Sequence, residues 1–190
     1  MEECEVKFLN IDVDQITEKI EALGGIKQFD RMFKRIVFDY PDLRLNDQKH
    51  AWVRLRDEGD QVTLSYKQRL DVGDGVSNDR SMLENEVVVS DFEQTAAIMR
   101  NIGLADKFYE ENRRIQYKLG DVELDIDYWP QLEPYLEIEA STWELVEETI
   151  EKLGLDPADK KIFSTHQIYA QAGINENEYK RITFDEMVKR

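Results

Sequence analysis

The stretch VELDIDYWPQLEPYLEIEA, residues 122–140, places an acid at every second position in two runs. Glu123, Asp125 and Asp127 alternate with Leu124, Ile126 and Tyr128, and Glu137 and Glu139 alternate with Leu136 and Ile138. A strand sends successive side chains to opposite faces. The spacing therefore predicts two strands, 122–128 and 135–140, each with one apolar face and one carboxylate face.

The same alternation recurs outward in both directions. Strands are predicted at 2–9, 33–40, 51–57, 61–67, 83–89 and 112–118. Cys4, Val6 and Phe8 oppose Glu3, Glu5 and Lys7. Arg35 shares a face with Val37 and Asp39; Arg54 and Arg56 oppose Val53 and Leu55. Thr63, Ser65 and Lys67 oppose Leu64 and Tyr66; Glu84 and Glu86 oppose Val87 and Val89; Arg114, Gln116 and Lys118 oppose Ile115 and Tyr117.

The apolar sides need covering, and amphipathic helices are predicted to cover them at 12–23, 91–102, 141–153 and 158–172. A short helix is expected at 183–189. DVGDGVSND, residues 71–79, reads as a hairpin connection or lid, because no carboxylate opens a calcium loop around Gly73 or Gly75. The predicted fold is α+β: an eight-stranded, mainly antiparallel, closed β-barrel with an ionic lumen and helices outside. The alternatives are an open sheet with its charged face in water, or a lumen of internally paired salt bridges. One domain is expected over 1–173, with 174–190 as its helical extension.

The chain has 190 residues and a net charge of −16, from 41 acidic and 25 basic residues. That balance argues against nucleic acid and anionic membrane as partners. The single cysteine, Cys4, excludes an internal disulfide and is expected in the core. With no apolar run of spanning length, a cytoplasmic protein is expected, and a homodimer is compatible with the composition.

Charge is segregated by strand. Acids dominate at 3–5, 84–86, 123–127 and 137–139; bases dominate at 54–56, 67 and 114–118. A carboxylate wall facing a cationic wall suits a polyphosphate held through a divalent metal, since carboxylates supply hard oxygen ligands and arginine forks match phosphate oxygens. Magnesium or manganese fits; zinc does not, with His50 and His166 isolated and one cysteine in the chain.

These residues, in this order, resemble the CYTH superfamily, the triphosphate tunnel metalloenzymes. Glu3-x-Glu5-x-Lys7 looks like its ExExK signature. WVRLR supplies the paired Arg54 and Arg56, TLSYK supplies Lys67, ENE supplies Glu84 and Glu86, RIQY supplies Arg114, and DIDYWPQLEPYLEIE supplies Asp127, Glu137 and Glu139. Asn112 stands where the family often has lysine, and Leu132-Glu133-Pro134 stands where it often has Leu-Gly.

The resemblance implies a tunnel binding a small-molecule triphosphate with Mg2+ or Mn2+. Glu3, Glu5, Asp127, Glu137 and Glu139 would hold the metal. Lys7, Arg35, Arg54, Arg56, Lys67, Arg114 and Lys118 would grip phosphate. Glu84 or Glu86 would orient the attacking water or a second metal. Triphosphate hydrolysis is the leading expectation. Class IV adenylyl cyclase is the alternative on the same residues, and non-catalytic polyphosphate or nucleotide binding is a third.

Overall fold

The computed structural model describes residues 4–70 and 82–190. Glu3 and the 71–79 connection lie outside the described residues. The strands are β1 (Cys4–Phe8), β2 (Ile26–Asp39), β3 (Ala51–Asp57), β4 (Val62–Arg69), β5 (Met82–Val89), β6 (Ala105–Leu119), β7 (Val122–Tyr128), β8 (Tyr135–Ala140), β9 (Tyr179–Ile182) and β10 (Met187–Lys189). The helices are α1 (Val13–Ala22), α2 (Arg44–Lys49), α3 (Phe92–Asn101), α4 (Trp143–Leu153) and α5 (Thr165–Gln171). The class is α+β with mainly antiparallel pairing, and the chain divides into two compact units: Met1–Arg31 with Asn112–Glu176, and Met32–Glu111 with Asn177–Arg190.

In the first unit the strand order is β1-β8-β7-β6, all antiparallel. Its core joins Val6, Phe8, Leu124, Ile126, Leu136 and Ile138 to Ile16 and Ile20 of α1 and Val146, Ile150 and Leu153 of α4. Cys4 is buried in that core, as alternation predicts. Local chemistry sets the helix ends. Asp12 accepts a hydrogen bond from the Gln15 amide at 3.0 Å, and Thr142 accepts one from the Leu145 amide at 3.3 Å. Gly154, at φ 63°, closes α4.

After α1 the chain turns through Gly24 and Gly25. A Cβ on Gly25 would sit 2.5 Å from Ile20 Cγ2 and 2.8 Å from the Ile20 carbonyl oxygen. Backbone cannot yield as a flexible side chain does, so Gly25→Ala is expected to destabilise the protein by about 1–3 kcal/mol. Urea denaturation at constant m-value measures this.

The second unit has the order β2-β3-β4-β5. Its core gathers Ile36, Phe38, Ala51 and Leu55 against Leu45 of α2 and Phe92 and Ala96 of α3. Helix α2 was not predicted. It forms because Asp39 turns back to accept the amides of Leu45 and Asn46, both at 3.0 Å. Asp39 thus serves as an anion at the start of α2 instead of extending the row begun by Arg35.

Three expectations are corrected. Among the described residues no ladder joins β1 to β5, so hydrogen bonding does not close the sheet into a barrel. The free edge of β1 is taken instead by Lys161, whose backbone exchanges two 2.8 Å hydrogen bonds with Lys7. That extended contact also shortens the helix expected over 158–172: Pro157–Asp159 forms a 3-10 turn, and α5 starts only at Thr165 behind a Ser164–Gln167 capping box. Finally, the helix expected at 183–189 is a hairpin. Strand β9 pairs with β10 and runs parallel to β6, Ile182 is buried, and the Thr183 amide reaches the Glu186 carbonyl at 2.9 Å. The hairpin buries Ile182 and gives the segment backbone partners on β6 that a lone surface helix would not have.

Candidate functional site

Two polar sheet faces, one in each unit, carry the predicted residues. In the first unit the register builds a grid. Glu5, Glu139, Glu123 and Lys118 form one row; Lys7, Glu137, Asp125 and Gln116 the next; Tyr135, Asp127 and Arg114 the third. Six carboxylates therefore share a face with three cations.

Carboxylate oxygens of Glu5, Glu137 and Glu139 lie within 4.8 Å of one another. Lys7, only 4% exposed, bridges two of them: its ammonium pairs with Glu5 and stands 3.0 Å from Glu137 Oε2. Arg114 organises the other end. Its Nε and Nη2 donate to the two oxygens of Asp127 at 2.7 and 2.6 Å, its Nη1 donates to Asp125, and Nη2 lies 3.5 Å from Glu137.

These contacts explain the protonation behaviour. Burial alone would raise the Glu137 carboxyl, but Arg114 and Lys7 outweigh it and hold it below its usual range. Asp125 goes the other way: burial pushes it up to about 7, Glu137 and Asp127 add to the rise, and Arg114 only partly opposes it. Its Oδ1 is buried with no hydrogen-bond partner among the described residues.

The sign of the pH effect follows. An unfolded aspartate titrates near ~3.9. Between there and about 7 the folded chain retains a proton on Asp125 that the unfolded chain has lost, so this group's contribution makes stability fall as pH rises. In chelator-treated protein, Asp125→Asn is expected to shrink the loss of stability between pH 5 and pH 8, read from urea midpoints.

The trio fits a divalent cation by donor chemistry: three carboxylates, no nitrogen or sulfur ligand, and an acidic face left underneutralised by Lys7, Arg114 and Lys118. Asp127, also predicted as a ligand, lies outside that trio, with both oxygens committed to Arg114. Arg114 and Lys7, predicted to grip phosphate, are turned to carboxylates of their own face. Lys118 is half-exposed beside Glu123 at 3.7 Å.

The second unit presents the opposite sign. Arg35, Arg56 and Thr63 lie in one row, Val37, Arg54, Ser65 and Glu86 in the next, and Trp52, Lys67 and Glu84 in a third. Arg54 stands 3.7 and 3.5 Å from Glu84 and Glu86, Lys67 is 2.9 Å from Glu84, and Arg56 pairs with Glu58. The cations still crowd one another. Burial, then Arg56 and Arg35, lower Arg54 to about 10; burial and then Arg54 lower Lys67.

Arg54 Nε, Arg56 Nε, Thr63 Oγ1 and Ser65 Oγ are buried without hydrogen-bond partners among the described residues. Native structures rarely leave such donors unpaired, and phosphate oxygens would pair them. Sequence reasoning missed Thr63, Ser65, Asp125 and Glu58 as members of these faces' chemistry. The first three were visible in the alternation, and Glu58 is the next same-face position after Arg54 and Arg56.

Residues 1–163 match the CYTH domain family. The chain belongs to that family. Its fold is similar to that of solved proteins at low identity. A putative adenylate cyclase from Vibrio parahaemolyticus has a TM-score of 0.71 at 14% identity, covering 90% of this chain and 98% of that one. A protein from Pyrococcus horikoshii has a TM-score of 0.66 at 22% identity, covering 87% and 98%. A putative adenylyl cyclase from Hippeastrum, described as having a dominant triphosphatase activity, has a TM-score of 0.61 at 17% identity, covering 92% and 97%. No curated protein sequence matches the chain. No helix among the described residues is long and apolar enough to cross a membrane.

Proposed function

We propose that the protein is a divalent-metal-dependent triphosphate hydrolase, acting on inorganic tripolyphosphate, a nucleoside triphosphate or thiamine triphosphate. One observation carries the reading: a CYTH chain carries a three-carboxylate cluster on one sheet face and, on another, buried guanidinium and hydroxyl donors without hydrogen-bond partners among the described residues. Glu5, Glu137 and Glu139 hold Mg2+ or Mn2+, with Glu3 and Asp127 as further carboxylates of the set. When bound, the metal supplies positive charge to phosphate oxygens. Arg35, Arg54, Arg56 and Lys67 bind the phosphate chain and stabilise charge developing at the transferred phosphorus. Lys7, Arg114 and Lys118 contribute cationic charge from the acidic face, and Glu84 or Glu86 orients the attacking water.

The triphosphatase activity named for the Hippeastrum protein supports hydrolysis. The adenylate cyclase name of the Vibrio protein supports a second reading on the same residues, in which ATP yields cyclic AMP and pyrophosphate. Phosphate release from the three substrates, with product analysis for ATP, separates the two. Chelation is expected to abolish turnover and added Mn2+ or Mg2+ to restore it. Glu139→Gln is expected to raise the metal concentration for half-maximal activity by about 10–100-fold. Binding without any metal-dependent turnover would leave a polyphosphate or nucleotide sensor.

A further inference from the structure

The cationic face of the second unit draws its counter-ions from two places. The row of Arg54 ends in Glu86 and the row of Lys67 ends in Glu84, both on β5. The row of Arg35, Arg56 and Thr63 ends in Val88, which carries no charge. The anion for that row comes from the turn after β3. Glu58, the next same-face position beyond Arg56, turns its carboxylate onto Arg56 Nη2, with its side chain only 15% exposed.

This ion pair is incompletely made. Glu58 Oε1 and Arg56 Nε are both buried, and neither has a hydrogen-bond partner among the described residues. Glu58 Oε2 accepts a 3.3 Å bond from Gln61 Nε2. The backbone beneath is fixed: the Glu58 amide donates to the Gln61 carbonyl at 2.9 Å, and the Gly59 amide donates to Asp57 Oδ1 at 2.9 Å. The carboxylate can therefore leave Arg56 by side-chain rotation, with the turn intact. A guanidinium binds best an oxyanion that takes two of its N–H groups in a fork. A phosphate group would supply that fork to Arg56, including its unpaired Nε, and Glu58 does not.

We propose that Glu58 is a built-in stand-in for a substrate phosphate. It neutralises Arg56 when no oxyanion is bound, swings away when a phosphate binds, and returns as the product departs. It thus weakens oxyanion binding at Arg56 and shortens its duration. This rests on the assignment of Arg56 to phosphate in the hydrolase reading and adds a residue that opposes binding there.

The test compares wild type, Glu58→Gln and Glu93→Gln. Glu93 is an exposed carboxylate in the first turn of α3, so its variant makes the same change in net charge away from Arg56. Tripolyphosphate affinity is read by calorimetry with chelator present, and turnover by phosphate release with Mn2+. Glu58→Gln is expected to bind tripolyphosphate about 10-fold more tightly, and Glu93→Gln to change affinity less than about 2-fold. Without ligand, Glu58→Gln is expected to melt below wild type, since the crowded arginines lose a counter-ion, and saturating tripolyphosphate is expected to narrow the gap. Affinity unchanged or weakened in Glu58→Gln, or raised equally in Glu93→Gln, overturns the stand-in and leaves hydrolysis to be judged by turnover. Tightened binding without metal-dependent turnover supports the stand-in and overturns hydrolysis. Neither binding nor turnover in any of the three proteins overturns both.

Discussion

Arg54→Met is expected to lower metal-dependent phosphate release by about 10²–10³-fold, the loss typical of removing one preorganised donor from a developing anion. The same variant should fold as well as wild type or better. Arg54 is largely buried, only 14% exposed at its side chain, and lies among Arg35, Arg56 and Lys67. Burial, then Arg56 and Arg35, already depress its pKa to about 10, and Glu84 and Glu86 compensate only in part. Methionine keeps most of the stem and removes a repelled charge whose Nε has no hydrogen-bond partner among the described residues. A charge retained against its own stability is the signature of a site built for an anion. Steady-state kinetics together with thermal melting read both halves. A variant that loses stability while keeping full activity would remove Arg54 from the site.

Arg114→Met is expected to behave in the opposite way. It destabilises the metal-free protein by about 3–5 kcal/mol, because it strands buried carboxylates that have lost their partner. For a chain of this size that lowers Tm by roughly 6–20 °C. Asp127 loses both of its hydrogen bonds to Arg114, Asp125 loses its ion pair, and Glu137 keeps only Lys7 as a cationic neighbour. The penalty should ease below the pH at which these acids take up protons. Added Mn2+ should recover part of it, since a bound cation neutralises the same cluster. Melting curves at two pH values with and without metal provide the check. A Tm within a degree of wild type in every condition would mean that Arg114 does not organise the acidic face.

The sequence showed which residues share a strand face, and the described strand residues keep that alternation, with Asp39 the exception. Period two leaves no freedom: once Glu137 and Glu139 lie on one side, Leu136 and Ile138 lie on the other. Helices α1, α3 and α4 were legible for a similar reason, since Asp12, Asp91 and Thr142 cap them and the buried positions recur on one side. What a face's residues do to one another was not legible. Arg114 and Arg54 read alike as strand arginines, yet one is neutralised by Asp127 and the other is crowded by arginines, and only strand order decides which. Asp39 looked like a member of a polar row until a seven-residue reach to Asn46 made it a helix cap. Lys161 fell inside a helical pattern, but the unpaired edge of β1 offered its backbone better partners.

The pairing of Cys4 with Ala140 has a bearing on how the protein is made. During synthesis the strand bearing Glu5 and Lys7 emerges early and has no hydrogen-bonding neighbour until the strand bearing Glu137 and Glu139 leaves the ribosome. Closing so long a loop is slow and comes late. The acidic cluster is therefore among the last features to assemble, and a nascent chain cannot trap a cation there before most of the fold exists.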